Sequence, residues 1–241
     1  MNIEILFEDD NYVGVNKPAG LIVHADGKTE EPSLVDWILE KYPEMKEVGE
    51  AWLNPEGQTI YRPGIVHRLD RETSGVLVIA KNQKSFEDLK KQFQERETEK
   101  IYNAFVYGVM DEEDGVIDRA IGKSNKDFRM WSAQRGARGE LRDAITVYKV
   151  LKTSKQEGGL SYLEVSPKTG RTHQIRVHLK AINHPVIGDS LYAPKRDFAL
   201  GFKRLALHAR SLTFKTLEKK EITIEAPLPE DFERGLKELG K

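Results

Sequence analysis

The stretch His67-Arg68-Leu69-Asp70-Arg71-Glu72-Thr73-Ser74-Gly75 sets one short carboxylate between two guanidinium groups, directly ahead of the apolar run Val76-Leu77-Val78-Ile79. A run of that length and composition reads as a buried strand. Asp70 is therefore expected at the edge of a sheet, where a cleft can form. Adjacent cations favour the charged form of a carboxylate, which makes Asp70 a standing anion available as nucleophile or base. The alternative is a turn aspartate that bonds its own backbone ahead of a glycine.

Other chemistries fail on the sequence. Gly122-Lys123-Ser124 ends like a phosphate loop, but position 117 is Ile where such a loop begins with glycine, so a nucleotide-triphosphate site is rejected. Lys168-Thr169-Gly170 echoes a serine acyltransferase motif without the Ser-x-x-Lys partner that chemistry needs. His173 and His178 are five residues apart, roughly 140° around a helix, so they do not ligate one metal from a single helical face. No His-Glu-x-x-His occurs, and the absence of cysteine excludes disulfides, thiolate catalysis and Cys-zinc or iron–sulfur sites. Neither metal nor organic cofactor is expected.

A second cluster carries more information. Gly170-Arg171-Thr172-His173-Gln174-Ile175-Arg176-Val177-His178-Leu179 is followed by His184-Pro185-Val186-Ile187-Gly188-Asp189-Ser190-Leu191-Tyr192. Together with Val13-Gly14-Val15-Asn16-Lys17-Pro18-Ala19-Gly20-Leu21, the Asp70 segment, Lys100 to Gly108 and Arg204 to Ala209, this ensemble closely resembles the RluA-type pseudouridine synthases, from about residue 11 to about residue 225. The resemblance implies a central curved sheet with a catalytic cleft across its middle, and isomerisation of uridine in RNA without a cofactor. It implies Asp70 as the catalytic aspartate and Tyr102 as the active-site tyrosine, whose ring can stack on the extruded base while its hydroxyl takes part in proton transfer. Arg171 matches the basic residue that pairs with the catalytic carboxylate. Read as residues alone, Tyr102 fits one core face of a strand with Ala104 and Val106, and Arg171 a phosphate contact or surface pair at a helix start.

The target base must leave its stack before a carboxylate can reach its sugar. Arg68 is the candidate for filling the vacated space, with phosphate pairing as its alternative. Leu207 is a candidate to line the uracil pocket, with a core position as its alternative. The net charge of −1 conceals an asymmetry, because residues 1 to 60 carry a net −9 and the remainder +8. A basic face that tracks phosphates is expected, richest from Arg119 to Arg142 and including the RNA-contact candidates Arg135 and Arg138. That segment follows the family pattern only loosely, and Gly136 and Gly139 within it suggest a mobile loop.

These residues need a scaffold. Strands are predicted near 3–7, 12–16, 101–108, 145–151, 160–165, 206–214 and 221–225, with an acidic turn at Glu8 to Asn11. Helices are predicted from Ser33 as cap to Tyr42, over about 84–96, and from Thr172 as cap with Ile175, Leu179 and Ile182 as the core stripe. The pattern describes an α+β domain with a mostly antiparallel sheet. Length and the lack of a Pro/Gly/Ser-rich linker favour one continuous domain over residues 1–241. The family's S4-type RNA-binding domain is not expected ahead of it. With no apolar run near the ~20 residues of a membrane span and no basic signal-peptide flank, a cytoplasmic, membrane-free chain is expected. Its expected partner is structured ribosomal or transfer RNA, with no obligatory protein partner.

Overall fold

The computed structural model describes residues 1–25, 31–53, 57, 59–134, 137–155 and 158–240. In chain order the elements begin β1 (Glu4–Glu8), β2 (Tyr12–Lys17), α1 (Leu34–Lys41), β3 (Trp52–Leu53), β4 (Thr59–Ile60), β5 (Ser74–Ala80), α2 (Gln83–Glu95) and β6 (Glu99–Tyr107). They continue with β7 (Asp114–Asp118), β8 (Ile121–Lys123), β9 (Trp131–Ser132), β10 (Arg138–Arg142), β11 (Ile145–Ser154) and β12 (Leu160–Pro167). The last are α3 (Gln174–Ala181), β13 (Leu207–Lys215), β14 (Glu221–Glu225) and α4 (Glu230–Leu239). The chain forms two compact units, Met1–Glu99 with Ala209–Pro227 and Lys100–His208 with Leu228–Lys241.

In the first unit β1, β2, β5 and β13 are neighbours in that order, and β14 pairs with β13. The β1–β2 turn follows from Asp9, whose carboxylate accepts from the Asn11 and Tyr12 N–H groups at 2.8 and 2.7 Å. Every residue of β5 is buried, as a continuous apolar run should be when both faces are covered. Ser33 and Asp36 form a capping box on α1, and Asn82 with Ser85 does the same for α2. On α2, Phe86 and Leu89 enter the core with Tyr12, Val76, Val78 and Phe214. The Gln92 side chain then locks helix to strand by exchanging two hydrogen bonds with the Lys215 backbone, at 2.7 and 2.9 Å.

In the second unit β6, β12, β11 and β7 follow one another, each pairing antiparallel. Phe105 centres the core, its ring 4.6 to 5.4 Å from those of Tyr162, Phe202 and Phe232. Phe232 belongs to α4, which the sequence reading did not include. Gly235 of that helix lies so close to Phe202 that a Cβ would stand 2.8 Å from its ring.

Two expectations are corrected. Thr172 does not cap α3: the cap position is His173, in a left-handed conformation at φ 55° and without a side-chain cap bond. The segment read as a basic loop contains, among its described residues, a second, three-stranded sheet in the order β10-β8-β9, while Gly136 lies outside the described residues. Its strands of two to five residues are too short for a period-2 pattern to register.

Gly75 opens β5 at φ 113°, and a Cβ there would stand 2.1 Å from the Ala209 carbonyl oxygen. Gly75→Ala combines a conformation foreign to L-residues with a backbone collision, and is expected to cost more than about 3 kcal/mol. Urea denaturation of the purified variant measures this; a loss below about 1 kcal/mol would mean that β13 simply moves aside.

Candidate active site

Asp70 lies in the first unit, half-buried, in a turn closed by a 3.1 Å bond from the Thr73 N–H to the Asp70 carbonyl. The turn is closed by main-chain atoms, not by the Asp70 carboxylate. The turn is pinned on each side of the carboxylate. Upstream, His67 Nε2 accepts from the Val78 N–H of β5 at 3.1 Å, and its ring stacks on Phe93 of α2 at 4.5 Å. Leu69 is buried at 4% exposure. Downstream, the Arg71 carbonyl accepts from the Gly20 N–H at 2.9 Å and from Lys17 Nζ at 3.1 Å.

Lys17 is fully buried, and its ammonium also donates to the Pro18 and Leu21 carbonyls at 2.8 Å each. One cation therefore ties the segment after β2 to the residue next to Asp70. Arg71 itself pairs with Glu31 at the surface. Arg68 is exposed, with Nη1 3.4 Å from His24 Nε2.

The second unit holds Tyr102 and Arg171. Tyr102, on β6 opposite Val165 of β12, is half-buried and packs against the core. Arg171 is half-buried, with Nε donating to the Asp143 carbonyl at 3.0 Å. The first residue of α3 holds its backbone: Gln174 Oε1 accepts from the Arg171 N–H at 3.0 Å and from Thr169 Oγ1 at 2.6 Å. Gln174 Nε2 donates to the Ile145 carbonyl and to Thr146 Oγ1, both at 3.0 Å. The amide thus makes four bonds, its full complement, and the loop carrying Arg171 is stitched to β11.

One turn along α3, His178 is fully buried and extends the same network. Its Nε2 donates to the Arg119 carbonyl and its Nδ1 accepts from Thr146 Oγ1, each at 2.9 Å. That leaves the ring neutral, and burial pushes its pKa below the ordinary 6.5. His173 precedes the helix, so the two histidines do not share a helical face. His173 Nδ1 meets Tyr192 Oη at 2.9 Å, and that hydroxyl accepts from the Trp131 N–H at 3.0 Å. Tyr192 is itself set by Asp189, which accepts from the Leu191 and Tyr192 N–H groups and makes a buried two-pronged pair with Arg176 at 2.8 and 2.9 Å.

Leu207, 4% exposed, belongs to the core of this unit, the alternative that the sequence left beside pocket lining. Arg138 is exposed on β10, opposite Lys123 of β8. Arg135 lies outside the described residues. The supporting roles of Lys17, Gln174 and His178 were not read from the sequence. Gln174 and His178 are four apart and share a helix face, a spacing that marks a polar pair beside the Ile175 and Leu179 stripe.

With this geometry in place, the comparisons with known proteins are informative. The family described as RNA pseudouridylate synthase matches residues 11–181. An uncharacterised RNA pseudouridine synthase of Synechocystis is 34% identical over 97% of this chain and 68% of its own length. The ribosomal large subunit pseudouridine synthase D of Neisseria meningitidis is 37% identical over 96% of this chain and 60% of its own length. The solved human RNA pseudouridylate synthase domain containing 1 superposes with a TM-score of 0.74 at 25% identity, over 95% of this chain and 84% of that one. The chain belongs to the RNA pseudouridylate synthase family, in its RluA-type branch. Its fold is the one these enzymes share, and the activity of the family is an isomerisation carried out on RNA.

Two predictions follow from the supports. Lys17→Met leaves the Pro18 and Leu21 acceptors without their donor, and is expected to cost about 2–4 kcal/mol in urea denaturation and to lower turnover per folded molecule. Lys17→Arg is not expected to rescue either, because a bulkier guanidinium at a fully buried position forces its neighbours to shift; native stability and turnover in both variants would show that the turn holds without the ammonium. For His178, a folded pKa below the unfolded value of 6.5 means that the unfolded chain binds the proton more readily. The stabilisation is complete above pH 6.5 and is lost as pH falls from there toward the folded pKa. His178→Gln should flatten the dependence of unfolding free energy on pH in that window, by at most about 1.4 kcal/mol per pH unit; an unaltered slope would mean that the ring charges in place.

Proposed function

We propose that this protein converts specific uridines of structured RNA to pseudouridine with Asp70 as the catalytic carboxylate. The observation that carries the reading is the Asp70 turn, which Lys17, Gly20 and His67 pin on both sides while the carboxylate residue itself stays half-buried. A catalytic group held by its neighbours needs little rearrangement to act.

The reaction breaks the N1–C1′ bond of uridine, turns the uracil while it remains bound, and forms a C5–C1′ bond. The C5 proton leaves and N1 gains one, so atoms balance without redox change or co-reactant. Asp70 acts on the ribose, as nucleophile or as base. Tyr102 offers a ring against which uracil can stack and a hydroxyl for the C5 proton. Arg171 offers a planar fork of donors suited to orienting a carboxylate. Arg68 fills the space left by the extruded base, Leu207 borders the uracil from the core, and Arg135 and Arg138 contact phosphates. The chain over residues 1–241 is read as one catalytic domain. Ribosomal RNA is the first candidate substrate, because relatives such as the Neisseria protein are named for the large ribosomal subunit; transfer RNA is the second.

Asp70→Asn keeps the shape of the side chain and removes the anion. Turnover should fall by at least about 10²–10⁴-fold while RNA affinity is retained, both measured on one substrate found by mapping pseudouridine in total RNA from cells with and without the protein. Substantial isomerisation by the Asn variant would remove Asp70 from the chemistry, and release of free uracil by the native enzyme would indicate a hydrolase.

A further inference from the structure

Phe128 is 85% exposed, the most exposed large hydrophobic residue described. It stands between β8 and β9 on a turn that is bonded internally. The Ser124 N–H donates to the Met130 carbonyl and the Met130 N–H to the Asp127 carbonyl, both at 3.0 Å. The Asp127 carboxylate accepts from the Arg129 N–H at 2.8 Å and from its guanidinium at 2.7 to 3.2 Å. The ring is therefore held out by fixed backbone with nothing of its own core to cover.

Its surroundings are cationic. Residues 121 to 142 carry six Lys or Arg against two acidic residues, and both acids already pair with arginines, Asp127 with Arg129 and Glu140 with Arg142. Lys123, Lys126 and Arg138 are exposed, and the Lys123 ammonium lies 4.2 Å over the half-buried Trp131 ring. A lone exposed ring among cations suits a polyanion with flat faces better than an apolar protein surface, which would need a contiguous patch.

The sheet is also joined to the loop of Arg171. Asp143, next after β10, accepts from Arg171 Nε at 3.0 Å. Trp131 of β9 donates to Tyr192 Oη, which bonds His173. A nucleotide bound on β8–β10 would thus lie on the same unit as Arg171, connected to it through short rigid links.

We propose that Phe128 is a stacking platform for an unpaired base of the substrate RNA, with the phosphates on either side of that base taken by Lys123, Lys126 and Arg138. This rests on the reading of the protein as an RNA-modifying enzyme, and it narrows the substrate to RNA that offers a single-stranded nucleotide beside the target. Aromatic stacking is sequence-tolerant, so the platform selects for unpaired structure rather than for a particular base.

The test uses the full chain and two probes, a short single-stranded RNA of mixed sequence and the blunt duplex it forms with its complement. Phe128→Ala should weaken binding of the single strand by about 5- to 100-fold and leave the duplex unchanged, while Phe128→Tyr binds both like the native protein. The slope of log affinity against log salt should stay the same in Phe128→Ala, because no phosphate contact is removed, and should flatten in Arg138→Glu. Thermal unfolding should not change in Phe128→Ala, since the ring is exposed. Equal affinity of native and Ala proteins for the single strand, equal losses on both probes, or no binding of the single strand by native protein would each overturn the platform. So would a loss of self-association in sedimentation as the only effect of the Ala variant. These results are independent of Asp70→Asn turnover, which tests the isomerase reading alone.

Discussion

Lys17 places a charge where water does not reach, a costly arrangement unless the charge is met by fixed acceptors. The acceptors are backbone carbonyls of Pro18, Leu21 and Arg71, 2.8 to 3.1 Å away. Bonds from a charged donor are stronger than neutral ones, and the three carbonyls match the three donors of an ammonium. Two of them close the chain back on itself after β2, and the third reaches across to the residue following Asp70. The buried strand β5 supplies the other anchor, because its Val78 N–H is spent on His67. Asp70 is thereby set between a cation-bound carbonyl and a strand-bound imidazole.

The second unit solves a similar problem with neutral groups. Gln174 uses both lone pairs and both hydrogens, and a saturated buried amide is a rigid joint where a partly satisfied one would be a liability. His178 continues the joint through Thr146 to the Arg119 carbonyl. Arg119 in turn donates from Nη1 to the Ala181 carbonyl near the end of α3 at 2.9 Å, so the helix is tied to the segment between β7 and β8 at two places. Arg171 inherits its position from this polar lattice more than from apolar packing.

The parts of the structure legible in the sequence are those where one physical signal dominates. The Val76–Ile79 run is buried as β5, the Ser33 cap begins α1 where capping chemistry places it, and Phe86 with Leu89 turns α2 inward. The turn that carries Asp70 precedes β5 where the sequence places it. The helix starting at His173 was misjudged by one residue because the cap is made by backbone conformation and by the Gln174 side chain reaching back, not by the threonine hydroxyl favoured by local propensity. Lys17 could not be read as buried, since lysine is almost never fully buried without partners and its partners here are carbonyls, which every sequence contains. The α4 helix was missed because its apolar positions, Phe232, Leu236 and Leu239, are few and its close approach to Phe202 depends on a glycine, a residue that argues against helix in isolation.

The small sheet illustrates how charge counts mislead without geometry. Six basic residues over residues 121 to 142 suggested a solvated or mobile loop, yet Gly122 is packed so closely that a Cβ would stand 2.8 Å from Leu141 and 3.0 Å from the Arg138 carbonyl. Close backbone approach lets three very short strands pair, and the Tyr192 hydroxyl secures the last of them to the loop before α3. A basic segment whose described strands are paired can do more than attract phosphate. It can present its side chains at fixed spacing, so that a polyanion of the right shape loses less entropy on docking than it would against a flexible tail. The Lys17 cage and the Gln174 joint hold the segments of Asp70 and Arg171 through other parts of the chain, so a change of side chain on this small sheet leaves both supports in place.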